Sequence, residues 1–220
     1  MKLQIDTQSY KNKDLASAKI GSMKKRIQSS PSLELSLEQL ADKIGKGHSF
    51  SPAVLKGGLS SNNWKEQQIF CIDVDNNLDS EPMLTIDMAL AICDRNSIKP
   101  AFYYFTYSHT EVHPKYRLAF VCKEVITDES QRRIIMDCLV SLFTQSDAAC
   151  KNADRIFFGT NKEVKTCESE ARFKFNDLLS SFTPPESSSE KFRNPSKTKD
   201  FNFDKLKQEF DLLSYMKEKM

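Results

Sequence analysis

Between Gln67 and Asp75 the chain reads Gln-Gln-Ile-Phe-Cys-Ile-Asp-Val-Asp. Ile69, Phe70, Cys71, Ile72 and Val74 form a nearly continuous apolar run of strand length, the pattern of a buried β-strand. Residues two apart in a strand point to the same side, so Asp73 and Asp75 share a face at its end. Two carboxylates there repel each other and lose hydration. A hard divalent cation that prefers oxygen ligands, Mg²⁺ or Mn²⁺, relieves both costs. On that reading Asp73→Ala leaves the thermal midpoint unchanged or slightly raised. The competing reading ends the strand at Val74 and makes Asp75-Asn76-Asn77 a solvated turn.

The rest of the chain offers this strand partners. Ser36-Leu-Glu-Gln39 is a capping box, in which the Ser36 hydroxyl bonds the Gln39 amide and Gln39 reaches back. Leu37, Leu40, Ala41 and Ile44 follow at helical spacing, with Gly45 or Gly47 as the stop. Ser49–Lys56 is β-compatible and closes on the turn pair Gly57-Gly58. Past a loop over 76–81, Pro82 suits a first helical turn, and Met83, Ile86, Leu90 and Cys93 mark one face. Pro100–Tyr107 is aromatic and strand-like, Lys115–Cys122 is a second strand, and both predict β structure. Thr127 or Asp128 caps a helix carrying Ile134, Ile135, Cys138, Leu139, Leu142 and Phe143. Arg155–Gly159 reads as a short strand and Lys174–Ser181 as a short helix.

Length and composition bound the alternatives. The 220 residues suit one large domain or one domain with an appendage, and 39% hydrophobic with 28% charged residues argues against global disorder. No apolar run approaches the roughly 18 residues of a membrane span, so no membrane partner is expected. The N-terminus lacks the apolar region of a secretory signal. Six cysteines occur without a Cys-x-x-Cys pair, which gives no zinc or thioredoxin pattern and fits a reducing cytoplasm. Residues 1–30 hold seven Lys/Arg against Asp6 and Asp14, a local +5, so the remainder of the +2 chain sums to −3. Such a segment can track a phosphate backbone, or it can be the solvated face of a helix over Leu15–Ile27. Residues 183–200 contain Pro and Ser and no aliphatic side chain, a linker composition. Phe203, Leu206, Phe210, Leu213 and Met216 then give an amphipathic helix.

Two further clusters carry chemistry. Tyr107-Ser108-His109 ends the aromatic strand and Lys115-Tyr116-Arg117 opens the next, so Ser108, His109, His113, Lys115 and Arg117 surround one connection. Hydroxyl, imidazole and guanidinium groups so placed suit an anionic ligand such as a triphosphate. A loaded fork at Arg117 predicts that Arg117→Ala weakens nucleotide affinity. In Ser146–Asn161, Asp147 and Asp154 precede Arg155-Ile-Phe-Phe-Gly. Either Asp can supply a third carboxylate. Otherwise Asp147 is part of a helix C-terminal turn and Asp154 a salt-bridge partner.

Taken in order, a strand ending in Asp-Val-Asp, a Ser/His loop leading into a strand, and an acidic segment leading into Arg-Ile-Phe-Phe-Gly resemble the archaeo-eukaryotic primase superfamily, in the version found in phage and plasmid replication proteins. The likeness spans roughly residues 45–165. Gly47-His48-Ser49-Phe50-Ser51-Pro52-Ala53 and Trp64-Lys65-Glu66-Gln67-Gln68 resemble the same group of mobile-element proteins.

The resemblance implies an α/β fold, with a small N-terminal αβ unit packed on an RRM-like antiparallel sheet and a C-terminal helix after a linker. It implies Asp73 and Asp75 as metal ligands for Mg²⁺ or Mn²⁺, with Asp147 as the third carboxylate and Asp154 as its alternative. The family's Ser-x-His motif departs here, since Ser108 and His109 are contiguous and Arg117 holds the strand start. His109 and Arg117 therefore share the triphosphate contact, with Arg155 as a further basic group. The implied organisation is a basic arm over 1–30, a primase-like catalytic domain over 31–182, a linker over 183–200 and a helix over 201–220. The implied activity is two-metal nucleotidyl transfer, making primers on a single-stranded DNA template from nucleoside triphosphates. A replicative helicase, in trans or fused after residue 183, is the further partner. A degenerate, primase-like single-stranded DNA-binding protein is the alternative. A glycosyltransferase using Asp-x-Asp would show a nucleotide-binding αβ repeat, which is not seen. A rolling-circle nickase needs two histidines flanking one hydrophobic residue, and His109 to His113 is the wrong spacing.

Overall fold

A computed structural model describes residues 1–12, 17–77, 83–167 and 171–182. They all fall in one unit, Met1–Thr183. The linker over 183–200, the helix over 201–220 and Pro82 lie outside the described residues.

The fold is mixed α/β with antiparallel sheets and, among the described residues, five α-helices. The chain runs β1 (Lys2–Ser9), α1 (Ser17–Ser29), β2 (Leu33–Glu34), α2 (Leu37–Gly45), β3 (His48–Ser51), β4 (Ala53–Leu55), β5 (Trp64–Val74), α3 (Ile86–Arg95), β6 (Phe102–Phe105), β7 (Tyr116–Ile126), α4 (Glu129–Leu142), β8 (Val164–Thr166), β9 (Arg172–Phe173) and α5 (Phe175–Phe182). Short 3₁₀ turns cover Ser61–Asn63 and Ala148–Lys151.

One sheet has the order β2-β1-β3. The other runs β4-β5-β7-β6-β8, with β9 added parallel to β7. Pro52 separates β3 from β4, which enter different sheets. Proline has no amide to give a ladder, and the strand breaks there.

The centre is the antiparallel pair β5–β7, with Phe70 opposite Phe120, Cys71 opposite Ala119 and Asp73 opposite Arg117. β6 continues the row by placing Tyr104 opposite Arg117. Directly opposed residues share a face, so Asp73, Arg117 and Tyr104 form one lateral line across the sheet. On the other face Phe120 stacks with Phe143, the residue that ends α4, at 6.3 Å between centroids. Ile135, Leu139 and Leu142 of α4 are buried.

The described residues of the segment 1–30, expected as a separate arm, supply β1 at the centre of the N-terminal sheet and helix α1. β1 pairs with β2 and β3, and Leu3, Ile5, Met23 and Ile27 are buried. Asp6 is fully buried and accepts two bonds from Arg26 at 2.6 and 2.9 Å, which ties α1 to β1. The positive charge of this segment is partly internal.

The capping box of α2 forms as the sequence predicts, and Asp128 caps α4. Arg155–Gly159 is not a strand. Phe157 makes one bridge to Phe50, and the Phe158 carbonyl accepts from Tyr104 and Arg117 side chains instead of a neighbouring strand. Gly159 crosses so close to Gly47 that an added Cβ would sit 2.5 Å from the Gly47 carbonyl carbon.

Candidate functional site

β5 ends at Val74, so its buried Asp73 lies at the sheet end and the more exposed Asp75 just beyond it. Beyond β4, the flank of β5 is taken by residues 145–147. The Asp147 amide donates to the Asp73 carbonyl at 2.8 Å and the Asp75 amide to the Gln145 carbonyl at 3.2 Å. This backbone pairing is what brings Asp147 beside Asp73. Asp147 also caps the following 3₁₀ turn, where its Oδ1 accepts from the Ala149 amide at 2.8 Å.

A cleft of about 460 Å³ opens here. Its lining includes Asp73 of β5 and Asp75 just past its end, Thr106 and Ser108 from the β6–β7 connection, Asp154 and Arg155, and Met23 and Lys24 from α1. The structure therefore brings together Asp73, Asp75, Ser108, Arg117, Asp154 and Arg155 at one cavity, with Asp147 joined through Arg155.

Each carboxylate in it already has a partner. Arg117 Nε donates to Asp73 Oδ1 at 3.0 Å and Nη2 to Oδ2 at 3.1 Å, a bidentate pair. Arg117 Nη1 donates to the Phe158 carbonyl at 2.6 Å, and the guanidinium lies 5.7 Å from the Tyr104 and Phe157 ring centroids. With 8% of its side chain exposed, Arg117 has no fork to offer a triphosphate in this arrangement, contrary to the sequence expectation. Facing Asp73 across the strands decides its role. Arg155 Nη2 donates to Asp147 Oδ2 at 2.6 Å and lies 3.5 Å from Asp73 Oδ2. Asp75 pairs with Lys115 at 3.4 Å, and Asp154 accepts from the Ser61 hydroxyl at 2.9 Å.

This donor set does not fit a divalent metal as arranged. Asp73, Asp75 and Asp147 are matched by Arg117, Lys115 and Arg155, so three negative charges meet three positive ones. Among the described residues no three Asp, Glu, His or Cys side chains converge on one point. Of the expected metal set of Asp73, Asp75, Asp147 and Asp154, the first three are paired with arginine or lysine, and Asp154 accepts from the Ser61 hydroxyl.

His109 is absent from the cleft lining. Its ring stacks on Phe105 with centroids 4.0 Å apart, and its Nδ1 accepts from the Lys115 amide at 3.2 Å. That bond leaves the proton on Nε2. Burial, followed by the Lys162 ammonium, holds the imidazole below its ordinary pKa. His109 is therefore a neutral brace of the connection and not a cationic phosphate ligand.

Three contributors escaped the sequence reading. Lys24 lines the cleft from α1, although its sequence context is that of a basic arm. Lys162 Nζ donates to the Thr106 and His109 carbonyls, both at 3.1 Å, and pins the turn that presents Ser108. Asn76, fully buried with a φ of 43°, donates to the Leu84 and Pro114 carbonyls at 2.9 and 2.7 Å and accepts from the Leu84 amide at 2.8 Å. It is the anchored exit of β5, not part of a solvated turn. A signal for it was present, since asparagine is the residue that tolerates a left-handed backbone after a strand.

No protein-family model matches the chain, and no curated protein matches it by sequence. Among solved structures, the AEP domain of the cyanophage S-2L primase-polymerase is similar at a TM-score of 0.45 and 11% identity, over 70% of this chain and 80% of that one. No helix among the described residues is long and apolar enough to cross a membrane.

Proposed function

We propose that the chain is a primase-type nucleotidyltransferase of a phage, plasmid or similar element, binding nucleoside triphosphates and single-stranded DNA in the cleft at the end of β5. The observation that carries this reading is the convergence of Asp73, Asp75, Ser108, Asp154 and Arg155 on one cavity from segments far apart in the chain. They come from three separate motifs of the sequence. The chain's own contribution is binding and orientation. Lys24 and Arg155 offer positive charge to phosphates, and the Ser108 and Thr106 hydroxyls offer single donors. Such transfer ordinarily uses Mg²⁺ or Mn²⁺. A replicative helicase is the partner this reading calls for.

A second reading is favoured by one observation. Asp73 is closed off by Arg117 and Arg155, as suits a non-catalytic protein that binds single-stranded DNA. Incorporation of ribo- and deoxynucleotides on a single-stranded template with Mn²⁺ separates the two. The expected result is incorporation by the wild type and its loss in Asp75→Ala, a change at a half-exposed carboxylate outside the buried core. DNA binding without incorporation would select the second reading.

A further inference from the structure

Three walls of the cleft are tied together at a residue that its lining does not include. α1 supplies Met23 and Lys24, the β6–β7 connection supplies Tyr107 and Ser108, and the stretch after Asn152 supplies Arg155 and Phe158. Tyr10, the residue after β1, is bonded to the first two walls. Its hydroxyl accepts from Arg26 Nη2 of α1, and its carbonyl accepts from the Tyr107 hydroxyl. Arg26 also holds the fully buried Asp6 by two bonds, so α1 is fixed to β1 at this point. The third wall reaches Tyr10 through two glycines. The Tyr10 amide donates to the Gly47 carbonyl at 3.1 Å, and Gly159, next to Phe158, crosses Gly47 in close contact. A Cβ on Gly47 would meet the Tyr10 carbonyl oxygen at 2.0 Å, so no side chain separates the two backbones. These ties differ in strength. Arg26 and Asp6 form a bidentate, charge-assisted pair. Tyr107 and Tyr10 share one neutral hydrogen bond from a half-buried side chain, and such a bond is the easiest to release.

We infer that Tyr10 and Tyr107 are positioning residues, and that their bond is a clasp which sets how far Ser108 on the connection stands from Lys24 on α1. Closed, the clasp presents the Ser108 hydroxyl and the Lys24 ammonium to one anionic ligand, an arrangement that suits a polyphosphate. Released, it lets the connection draw back from α1, and each donor acts alone. Tyr10 stands outside the lining and acts through Tyr107 and Arg26. The inference rests on the proposed function only in taking a polyphosphate as the ligand.

The test compares the full-length wild type, Tyr107→Phe, Lys24→Gln and the double variant, with inorganic triphosphate as the probe. Tyr107→Phe removes the hydroxyl and keeps the ring. In ligand-free protein, hydrogen exchange at the Tyr10 amide should quicken about two- to tenfold, the range that one neutral hydrogen bond allows. Exchange at Ile135 and Leu139 in α4 should not change, which excludes a general loss of stability. Isothermal titration should show triphosphate binding Tyr107→Phe about two- to tenfold more weakly. With Lys24 already replaced, Tyr107→Phe should weaken binding by about twofold or less, because the clasp acts by bringing Lys24 within reach of the ligand. Additive losses, the result expected if the Tyr107 hydroxyl touched the ligand directly, would overturn the inference. So would unchanged exchange at Tyr10, an equal rise in α4, or equal triphosphate affinity in the wild type and Tyr107→Phe. Triphosphate binding to none of the four proteins, with the exchange result as expected, would count against the proposed function and leave the clasp in place.

Discussion

Removing the Arg117 side chain should unfold more than it unbinds. Arg117→Ala takes away a bidentate partner from Asp73, whose side chain is only 5% exposed, and leaves that carboxylate buried with the looser Arg155 contact. Two unit charges about 4 Å apart attract by about 4 kcal/mol at an effective dielectric constant near 20. Breaking one side of a buried pair costs about 3–5 kcal/mol in practice. The Phe158 carbonyl keeps a partner in Tyr104, whose hydroxyl donates to it at 3.0 Å, so that loss adds little. We therefore expect Arg117→Ala to lower stability by about 3–5 kcal/mol. Asp73→Ala should also destabilise, because it strands a guanidinium, the reverse of the raised midpoint that carboxylate repulsion suggests. The double variant should cost less than the sum, with a coupling of about 2–3 kcal/mol for residues in one network. Arg117→Lys should lie between, since an ammonium cannot make the planar pair. Urea unfolding of the four proteins of the cycle, without divalent ions, measures this. A loss under about 0.5 kcal/mol for Arg117→Ala, or strict additivity in the cycle, would refute the reasoning.

Three further outcomes are expected. Gly47→Ala places a Cβ 2.0 Å from the Tyr10 carbonyl oxygen at a φ of +91°, and should cost about 2–4 kcal/mol in chemical denaturation from strain and overlap together. Asn76→Ala removes three buried hydrogen bonds at a positive φ and should cost about 2–4 kcal/mol by the same assay, with Asn76→Gly relieving only the backbone part. His109 has its folded pKa held below the ordinary 6.5, so the unfolded chain binds more protons as pH falls through 6.5. Stability contributed by the neutral ring is thus present above that pH and lost between the unfolded and the folded pKa. Thermal midpoints measured from pH 7.5 to 5 should fall less steeply in His109→Gln than in the wild type.

The local pattern of the chain carried some elements and not others, for identifiable reasons. Ser36 and Gln39 lie within one turn of each other, and everything a capping box needs is in that turn, so its helix was readable. The strand at Ile69–Val74 announced itself by burial on both faces. β1 did not, because Asp6 looks like a surface residue until Arg26, twenty positions on, neutralises it. Arg155–Gly159 has strand composition, yet the Phe158 carbonyl is claimed by Tyr104 and Arg117 from other strands. The candidate site split along the same line. That Asp73 and Asp75 share a cleft follows from the two-residue period of a strand. That Arg117 faces inward follows from the register of β5 against β7, which depends on residues 44 apart.

That register has a bearing on how the chain reaches its native state. β5 and β7 are the two longest strands, and Asp73 meets Arg117 in only one of their possible alignments. A slip by one residue turns every side chain of the moving strand to the opposite face. Arg117 would then enter the apolar layer that holds Phe120 and Phe143, and Asp73 would stay behind without its main partner. Neighbouring alignments are penalised by several kcal/mol on both strands at once. The ion pair thus acts as a proofreading mark for strand alignment, and it rejects misfolded pairings that the apolar residues Phe70, Ile72, Leu118 and Phe120 would tolerate.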